Sequence, residues 1–153
     1  MISVSTRDRY ALRAMVDLAQ QGDNVPVSRR DISERQEISA DYVAQLFRRL
    51  QSAGLAEGVK GPGGGYRLVG DAAMISAGDV IRAVEGPVAV VHCTLPDPDE
   101  EPACNRVDHC VTHLLWKQLS EAVAEVLDSV SLEDLCAQAW QLDEREEVSS
   151  PTF

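Results

Sequence analysis

A glycine-rich run in the first half of the chain limits the local backbone more than any other segment. Residues 60–65 contain four glycines and one proline, a composition that disfavours both helices and central strands. Short segments typical of strands flank the run at residues 55–59 and 66–69. The pattern predicts a two-stranded hairpin whose tip approaches another surface, the alternative being a merely flexible turn. A phosphate-binding loop is not predicted, because the run lacks the Gly-Lys-Ser/Thr ending that opens a helix.

Three helices are predicted before the hairpin. Residues 5–21 carry apolar side chains at helical spacing, and residues 28–36 begin with a capping-box pattern in which Asp31 replaces the usual glutamate. A turn at residues 37–39 leads into residues 40–53, whose apolar stripe consists of Val43, Leu46, Phe47 and Leu50. Two short helices joined by a tight turn and followed by a hairpin predict a winged helix-turn-helix domain.

The second half of the chain is predicted to contain a short and a long helix separated by a long loop. A capping-box pattern at Ser76 starts a helix that reaches about Glu85, and residues 87–109 then lack helical periodicity. Apolar residues return in steps of three and four over residues 110–130, which predicts one long amphipathic helix. We expect its stripe to pair with a second subunit and in part to pack back on the first helix.

The fold class that follows is mainly α, with a two-stranded wing. Residues 1–86 are assigned to a winged helix-turn-helix DNA-binding domain and residues 87–110 to a loop. Residues 111–135 are assigned to a dimerisation helix and a short following helix, and residues 136–153 to a C-terminal tail. The acidic end of that tail, residues 143–153, is expected to be disordered.

Charge divides the chain into two unlike parts. A net charge of −11 disfavours nucleic-acid binding for the chain as a whole. Residues 1–70, however, hold ten Lys and Arg against eight Asp and Glu, whereas residues 71–153 hold four against seventeen. Only the second part is strongly acidic, so DNA binding by the first part is compatible with the composition. The sequence shows neither an apolar stretch of membrane-spanning length nor a secretory signal, and a cytoplasmic protein without membrane contact is expected.

The chain contains four cysteines, Cys93, Cys104, Cys110 and Cys136. In a reducing cytoplasm such cysteines are metal ligands, redox groups or buried thiols more often than disulfides. Cys136 lies on an apolar stretch with Leu132 and Leu135, where a free cysteine behaves as a small hydrophobic residue. We therefore expect a structural role for Cys136.

Four motifs carry a resemblance to a known family: Ile32-Ser33-Glu34-Arg35-Gln36, Gln45-Leu46-Phe47, Gly61-Pro62-Gly63-Gly64-Gly65-Tyr66 and Cys110-Val111-Thr112-His113-Leu114-Leu115-Trp116. They resemble the iron-sulfur cluster regulator IscR family, over roughly residues 1–135. The resemblance implies a homodimeric repressor or activator rather than an enzyme. It also implies that the protein receives a [2Fe-2S] cluster from the iron-sulfur assembly machinery and controls cluster-assembly genes.

The resemblance further implies that three cysteines and one histidine hold the cluster, namely Cys93, Cys104, Cys110 and His113. The last two stand one helical turn apart, so that the thiolate and the imidazole point the same way. This sequence departs from the family pattern between the first two cysteines, where the insert of residues 94–103 is long and acidic. The shape of the loop is therefore left open.

Several alternatives remain for this centre. His92, His109 or Asp8 of the partner subunit could replace His113 as the fourth ligand. Asp8 is considered because related nitric-oxide sensors use an N-terminal carboxylate as a ligand. A [4Fe-4S] cluster or a zinc ion suits the same donors, which makes a zinc-stabilised or nitric-oxide-sensing repressor the second hypothesis. A Cys-His enzyme with Cys110 as nucleophile is disfavoured, because no oxyanion or substrate-binding motif accompanies the pair.

The expected DNA-binding residues come from three segments of the winged helix. They are Ser28 and Arg29 at the start of the second helix, Ser39, Ala40, Tyr42, Gln45, Arg48 and Arg49 on the third, and Lys60, Gly61, Pro62, Gly63, Gly64, Gly65 and Tyr66 on the wing. Each of them has an alternative interpretation as ordinary solvated surface. A two-fold symmetric protein of this kind is expected to bind a pseudo-palindromic operator in double-stranded DNA.

Overall fold

The computed structural model describes residues 2–22, 24–95 and 104–149. Its α-helices are α1 Thr6–Gln20, α2 Arg29–Gln36, α3 Ala40–Ser52, α4 Ala77–Glu85, α5 Val111–Asp128 and α6 Leu132–Ser149. Two strands, β1 Ala56–Val59 and β2 Gly65–Leu68, form an antiparallel sheet, and short 3-10 turns occupy Ala72–Met74, His92–Thr94 and Val107–His109. The mainly α fold class with a two-stranded wing is confirmed.

Serine side chains start the three helices of the helix-turn-helix region. Ser5, Ser28 and Ser39 each accept a hydrogen bond from the backbone N–H three residues later, which satisfies one of the donors that a helix start leaves free. A complete capping box forms at Ser76, as predicted, because Asp79 also accepts from the backbone N–H of Ser76. At Ser28 the described contacts contain only the half of the box that the hydroxyl makes.

One hydrophobic core lies beneath the helix-turn-helix region and extends to the first turns of α6. The apolar stripe predicted for α3 is fully buried, with α1, α2 and α4 packed around it, and α6 joins the same core by packing on α1. Other members of this core are Met15, Leu18, Ile32, Val80, Val84 and Leu132. The first and last helices therefore share one core instead of forming separate units.

The limits of the two wing strands differ by one residue from the predicted limits. Val59 pairs with Gly65 and Ala56 pairs with Leu68, so each strand begins or ends one residue away from its expected limit. Backbone hydrogen bonds of 2.8 Å run in both directions between Tyr66 and Val27, which precedes α2. The wing is thereby fixed to the start of the second helix.

The last helix differs from the expectation of a short helix and a disordered tail. α6 continues to Ser149, so the prediction of disorder is wrong for residues 143–149, and residues 150–153 lie outside the described range. Ser131 and Asp134 form a reciprocal cap at its start, and buried Leu132 and Cys136 anchor its first turns against the core. Acidic composition suggested a solvated tail, but its glutamates are good helix formers once the helix is anchored.

The helix predicted at residues 110–130 is confirmed as α5, which packs mainly against α4 and the turn at His92–Thr94. Packing back on the first helix is instead provided by α6. Within the described ranges, no helix combines the length and the apolar character that a membrane span requires.

Candidate nucleic-acid interface and metal centre

A buried carboxylate sets the position of the helix-turn-helix. Asp17 on α1 is only 2% exposed, and both of its oxygens accept hydrogen bonds from the guanidinium of Arg35, at 2.6 and 2.9 Å. The amide of Gln36 donates a third bond, at 2.8 Å. Sequence reasoning missed this anchor, although an aspartate on the inward side of a helix with Ala14 and Leu18 was a signal for it.

The predicted recognition residues of α3 divide into an outer and a flanking set. Gln45 and Arg48 are exposed on the side opposite the buried stripe, and Ser39 is exposed as the cap residue at the start of the helix. Within the described part of the chain the Arg48 guanidinium has no hydrogen-bond partner. Ala40 is half-buried at the start of the same helix. Tyr42 is half-buried on the flank, where its ring meets the edge of Tyr10 with 5.9 Å between centroids.

Arg49 departs from the expectation of a side chain that faces the groove. Its Nη1 atom donates to the carbonyl oxygen of Val84 at 3.1 Å, in the last turn of α4. The guanidinium of Arg7 approaches the same carbonyl at 3.4 Å and also pairs with Glu85. The end of α4 thus receives cations from α1 and α3, as the negative end of a helix dipole favours.

The glycines of the wing serve two different purposes. A Cβ atom on Gly64 would lie 2.2 Å from the Val59 carbonyl oxygen, and one on Gly65 would lie 2.1 Å from that of Val27. These two positions therefore require glycine for the packing of the wing itself. Gly61 and Gly63 instead have left-handed backbone with φ of 90° and 73° and open space around them.

The remaining wing residues place one cation at the tip and an aromatic ring in the core. Lys60 and Pro62 are exposed beside the glycines, whereas Arg67 is paired with Glu57 across the strands. The ring of Tyr66 stacks on buried Phe47, with centroids 4.0 Å apart and planes 10° apart. The side chain of Tyr66 thus joins the wing to α3 and presents only part of its surface outward.

The start of α2 lies against the wing and completes the surface. The Cβ position of Gly65 is 2.8 Å from the Cα atom of Ser28, and Arg29 follows as an exposed side chain in the first turn. Exposed cations of the three predicted segments, Arg29, Arg48 and Lys60, are available for phosphate contacts. This arrangement suits duplex DNA better than a compact ligand.

The start of α5 carries two of the four predicted metal ligands, three residues apart in the chain. Cys110 is the cap residue of α5, and the backbone N–H of His113 donates to its carbonyl oxygen at 3.1 Å. The Thr112 hydroxyl lies 3.1 Å from the Cys110 sulfur, and this contact, followed by the backbone of His113 and the charge of Arg106, lowers the pKa of the thiol. A thiol with a lowered pKa is a better metal ligand.

His113 carries a buried nitrogen without a partner. Its Nδ1 atom is inaccessible and makes no hydrogen bond in the described part of the chain. Buried polar atoms are almost always satisfied, and an exception calls for an explanation such as an ion. Three thiols and one imidazole are donors that suit a soft metal centre, and the orphaned nitrogen is consistent with that use.

The other two predicted ligands are not gathered with this pair. Cys93 is half-buried in the turn His92–Thr94, and Cys104 is half-buried at the start of the chain that leads to α5. Among the described residues, no group of three or more His, Cys, Asp and Glu side chains comes together at metal-binding distances. Most of the acidic insert between these cysteines, residues 96–103, lies outside the described range.

The alternative ligands have distinct environments. His92 and His109 are exposed within their 3-10 turns. Asp8 is 9% exposed on α1, and its Oδ1 atom has no partner among the described residues. Burial, helped by the nearby charge of Glu85, raises the pKa of Asp8 against the lowering effect of Ser5.

α5 presents apolar side chains on the side that faces away from its own chain. Val111, Leu114, Leu115 and Val126 are between 54% and 81% exposed. At 100° per residue these positions lie on one side of the helix, opposite His113 and Ser120. Half of the predicted stripe is therefore uncovered in the single chain.

The family model described as Rrf2, an iron-dependent transcriptional regulator, matches residues 4–138. The HTH-type transcriptional regulator IscR of Xenorhabdus nematophila is 43% identical over 140 residues, which cover 92% of this chain and 82% of that protein. The regulator of the same name from Vibrio vulnificus is 38% identical over 149 residues, covering 96% and 86%. The likeness therefore includes the winged helix and the helices behind it.

Solved structures share the same fold. T. potens IscR superposes with a TM-score of 0.70 at 35% identity, covering 99% of this chain and 93% of that one. CymR, the global cysteine regulator of B. subtilis, gives a TM-score of 0.72 at 38% identity, covering 90% and 98%.

Proposed function

Because this chain belongs to the Rrf2 family of iron-dependent transcriptional regulators, we propose that it controls transcription according to a [2Fe-2S] cluster that it binds. The chain is a DNA-binding transcription regulator of the winged-helix class, and its relatives are regulators rather than enzymes. The metal centre, its ligands, the dimer and the target genes are the parts that we propose.

The cluster is held, in this proposal, by Cys93, Cys104, Cys110 and His113. The buried Nδ1 atom of His113, which has no hydrogen-bond partner among the described residues and lies three residues after Cys110, is the observation that supports the assignment. A cluster with one imidazole ligand supplies a redox centre whose potential is higher than that of an all-thiolate cluster. The chain's own contribution is to place the imidazole of His113 and the thiol of Cys110 on residues one helical turn apart.

DNA is bound, in this proposal, by the outer side of α3, the start of α2 and the wing. Arg29, Arg48 and Lys60 contact phosphates, while Ser39 and Gln45 lie where side chains reach base edges in the major groove. The exposed glycines at the tip allow the wing backbone to approach the minor groove. The strongly acidic second half of the chain stays away from the phosphates.

A homodimer completes the molecule, in this proposal, through the uncovered side of α5. Four exposed apolar residues on one helical side are costly in water and are covered when two copies pair. A two-fold dimer then binds a pseudo-palindromic operator, with one winged helix for each half-site. We place this regulator in the cytoplasm, where it receives its cluster from the assembly machinery and controls cluster-assembly genes.

Substitution of single ligands tests the assignment of the centre. The variants Cys93→Ala, Cys104→Ala, Cys110→Ala and His113→Ala are purified without air and assayed for iron, sulfide and zinc, with Cys136→Ala as the control. Cys136 is buried beside the Val16 carbonyl in the core, far along the chain from the other cysteines. We expect loss of iron in the four ligand variants and normal iron in the control. Normal iron in any ligand variant would exclude that residue as a ligand.

A further inference from the structure

α5 buries one residue fully, and that residue is polar. Ser120 is 6% exposed, whereas the apolar residues of the same helix are exposed or half-buried. A buried hydroxyl is stable only when its hydrogen bonds are made, and a lone bond back to its own helix satisfies only its proton. The hydrogen-bond partners of Ser120 therefore indicate the structural role of its buried hydroxyl.

Two of these contacts come from the segment that contains Cys93. The backbone N–H of Val90 donates to the Ser120 hydroxyl at 3.1 Å, and the hydroxyl of Thr94 lies 3.1 Å from the same atom. Ser120 itself lies 2.9 Å from the carbonyl oxygen of Trp116, one turn earlier in α5. One side chain thus bonds the residues on both sides of Cys93.

The hydroxyls of Thr94 and Ser120 can arrange their hydrogen bonds in more than one way. Thr94 donates either to the Val91 carbonyl, at 2.8 Å, or to Ser120, and Ser120 donates either to Trp116 or to Thr94. The two hydroxyl protons can thus make only two of these three hydrogen bonds at a time. The bond from the Val90 N–H to Ser120 is present whichever two are made. The docking of the segment on α5 survives an exchange of partners.

The position of Ser120 along α5 links this docking to the metal centre. Ser120 follows His113 by seven residues, which brings it back to nearly the same side of the helix. The segment that carries Cys93 is therefore held on the side of α5 on which His113 lies. Elsewhere in this segment the bonds are local, joining Thr94 to Val91 and Leu95 to His92.

We propose that Ser120 is a positioning residue for the metal centre, because it docks the Cys93 segment on the side of α5 that carries His113. The proposal rests on the proposed function, since it assumes that Cys93 and His113 share a centre. Ser120 touches no metal itself and acts through Val90 and Thr94. Its loss frees the Cys93 segment and leaves Cys110 and His113 in place.

The first test is amide hydrogen exchange in the full metal-free chain, which requires no cluster. Ser120→Ala is compared with Ser129→Ala, a control at the C-terminal cap of α5 whose hydroxyl bonds only the Val126 carbonyl of that helix. We expect exchange at Val90, Thr94 and Leu95 to become roughly tenfold faster in Ser120→Ala, as the loss of one or two hydrogen bonds predicts. Ser129→Ala should leave these amides unchanged. Unchanged exchange in Ser120→Ala would overturn the proposal.

The second test is the spectroscopic signature of the cluster in the anaerobic protein. We expect Ser120→Ala to lose its visible absorption roughly tenfold faster than the wild type in the presence of a chelator. Ser120→Thr, which keeps the hydroxyl, should restore the slow loss. An equal rate in Ser120→Ala and the wild type would contradict the proposal, and so would failure of the threonine variant to rescue.

A variant in the Cys93 segment distinguishes loss of docking from a disturbance of α5 itself. Thr94→Val removes the second hydroxyl from a half-buried position, and Thr94→Ser keeps it. We expect Thr94→Val to accelerate exchange and cluster loss, and Thr94→Ser to resemble the wild type. If the wild type itself contains no iron, the proposed function fails, whereas the exchange experiment still decides whether Ser120 docks the segment.

Discussion

The guanidinium of Arg35 binds both oxygens of Asp17, and this pair joins the end of α2 to the last turn of α1. The carboxylate is almost completely buried, whereas the Arg35 side chain is 40% exposed. Arg35 therefore covers the buried carboxylate on the side that faces solvent. It fixes the end of α2 against α1.

Arg35→Ala should destabilise the protein by about 1–3 kcal/mol, because it leaves a buried carboxylate with only the Gln36 amide as partner. Urea denaturation of the metal-free chain measures the change. Arg30→Ala is the matched control on the same helix, since it breaks only the exposed ion pair with Glu34. Equal effects of the two substitutions would show that Asp17 does not depend on Arg35.

Arg48 and Arg49 should respond differently to alanine substitution despite being neighbours. Arg48→Ala should weaken binding to duplexes of any sequence and reduce the slope of log affinity against log salt by about one unit. Arg49→Ala should change the slope less and the stability more, because its guanidinium bonds the Val84 carbonyl. Fluorescence anisotropy on one duplex at several salt concentrations measures both slopes. The reverse order of the two slopes would place Arg49 on the phosphates.

Gly65→Ala should disrupt the wing, because the added Cβ would lie 2.1 Å from the Val27 carbonyl oxygen. We expect a lower melting temperature and a loss of DNA affinity of at least tenfold, since the hairpin must move away from the start of α2. Gly63→Ala is the control, because its left-handed backbone costs about 1 kcal/mol without any clash. Similar results for both variants would mean that backbone strain alone, and not the contact with Val27, requires these glycines.

Asp8→Asn should stabilise the protein at neutral pH. Burial raises the pKa of Asp8 above the ordinary value of an aspartate, so the folded state binds a proton more readily than the unfolded state. The stability contributed by the protonated form is complete below that value and is lost as the pH rises through the raised pKa. The advantage of the asparagine variant in urea denaturation should therefore shrink as the pH falls from 7 towards 4. An advantage that does not depend on pH would contradict this account.

The winged helix was predictable because its signals are local. Four glycines in six residues specify the hairpin, and the buried stripe of α3 repeats at helical spacing with serine caps in front of the helices. These patterns depend on the nearest residues and on one periodicity. The bonds that fix the wing to Val27 were not predictable, because Val27 lies far from Tyr66 in the chain and no local pattern contains the pair.

The features that could not be predicted depend on contacts between residues that are distant in the sequence. α6 is long because Leu132 and Cys136 are anchored in the core, which its acidic composition concealed. Arg49 was assigned to the groove because the position of α4 could not be derived from the sequence of α3. Ser120 was overlooked because its partners, Val90 and Thr94, belong to a loop without periodicity. Candidate ligands could be named from the sequence, but the folding of the loop between them could not.

The metal content of the native protein tests the central claim most directly. The protein is purified without air, its visible and Mössbauer spectra are recorded, and iron, sulfide and zinc are assayed on the same sample. The account predicts visible charge-transfer bands with about two iron and about two sulfide ions per chain. A colourless protein with one zinc ion per chain would contradict it and would identify the same four side chains as a closed zinc site.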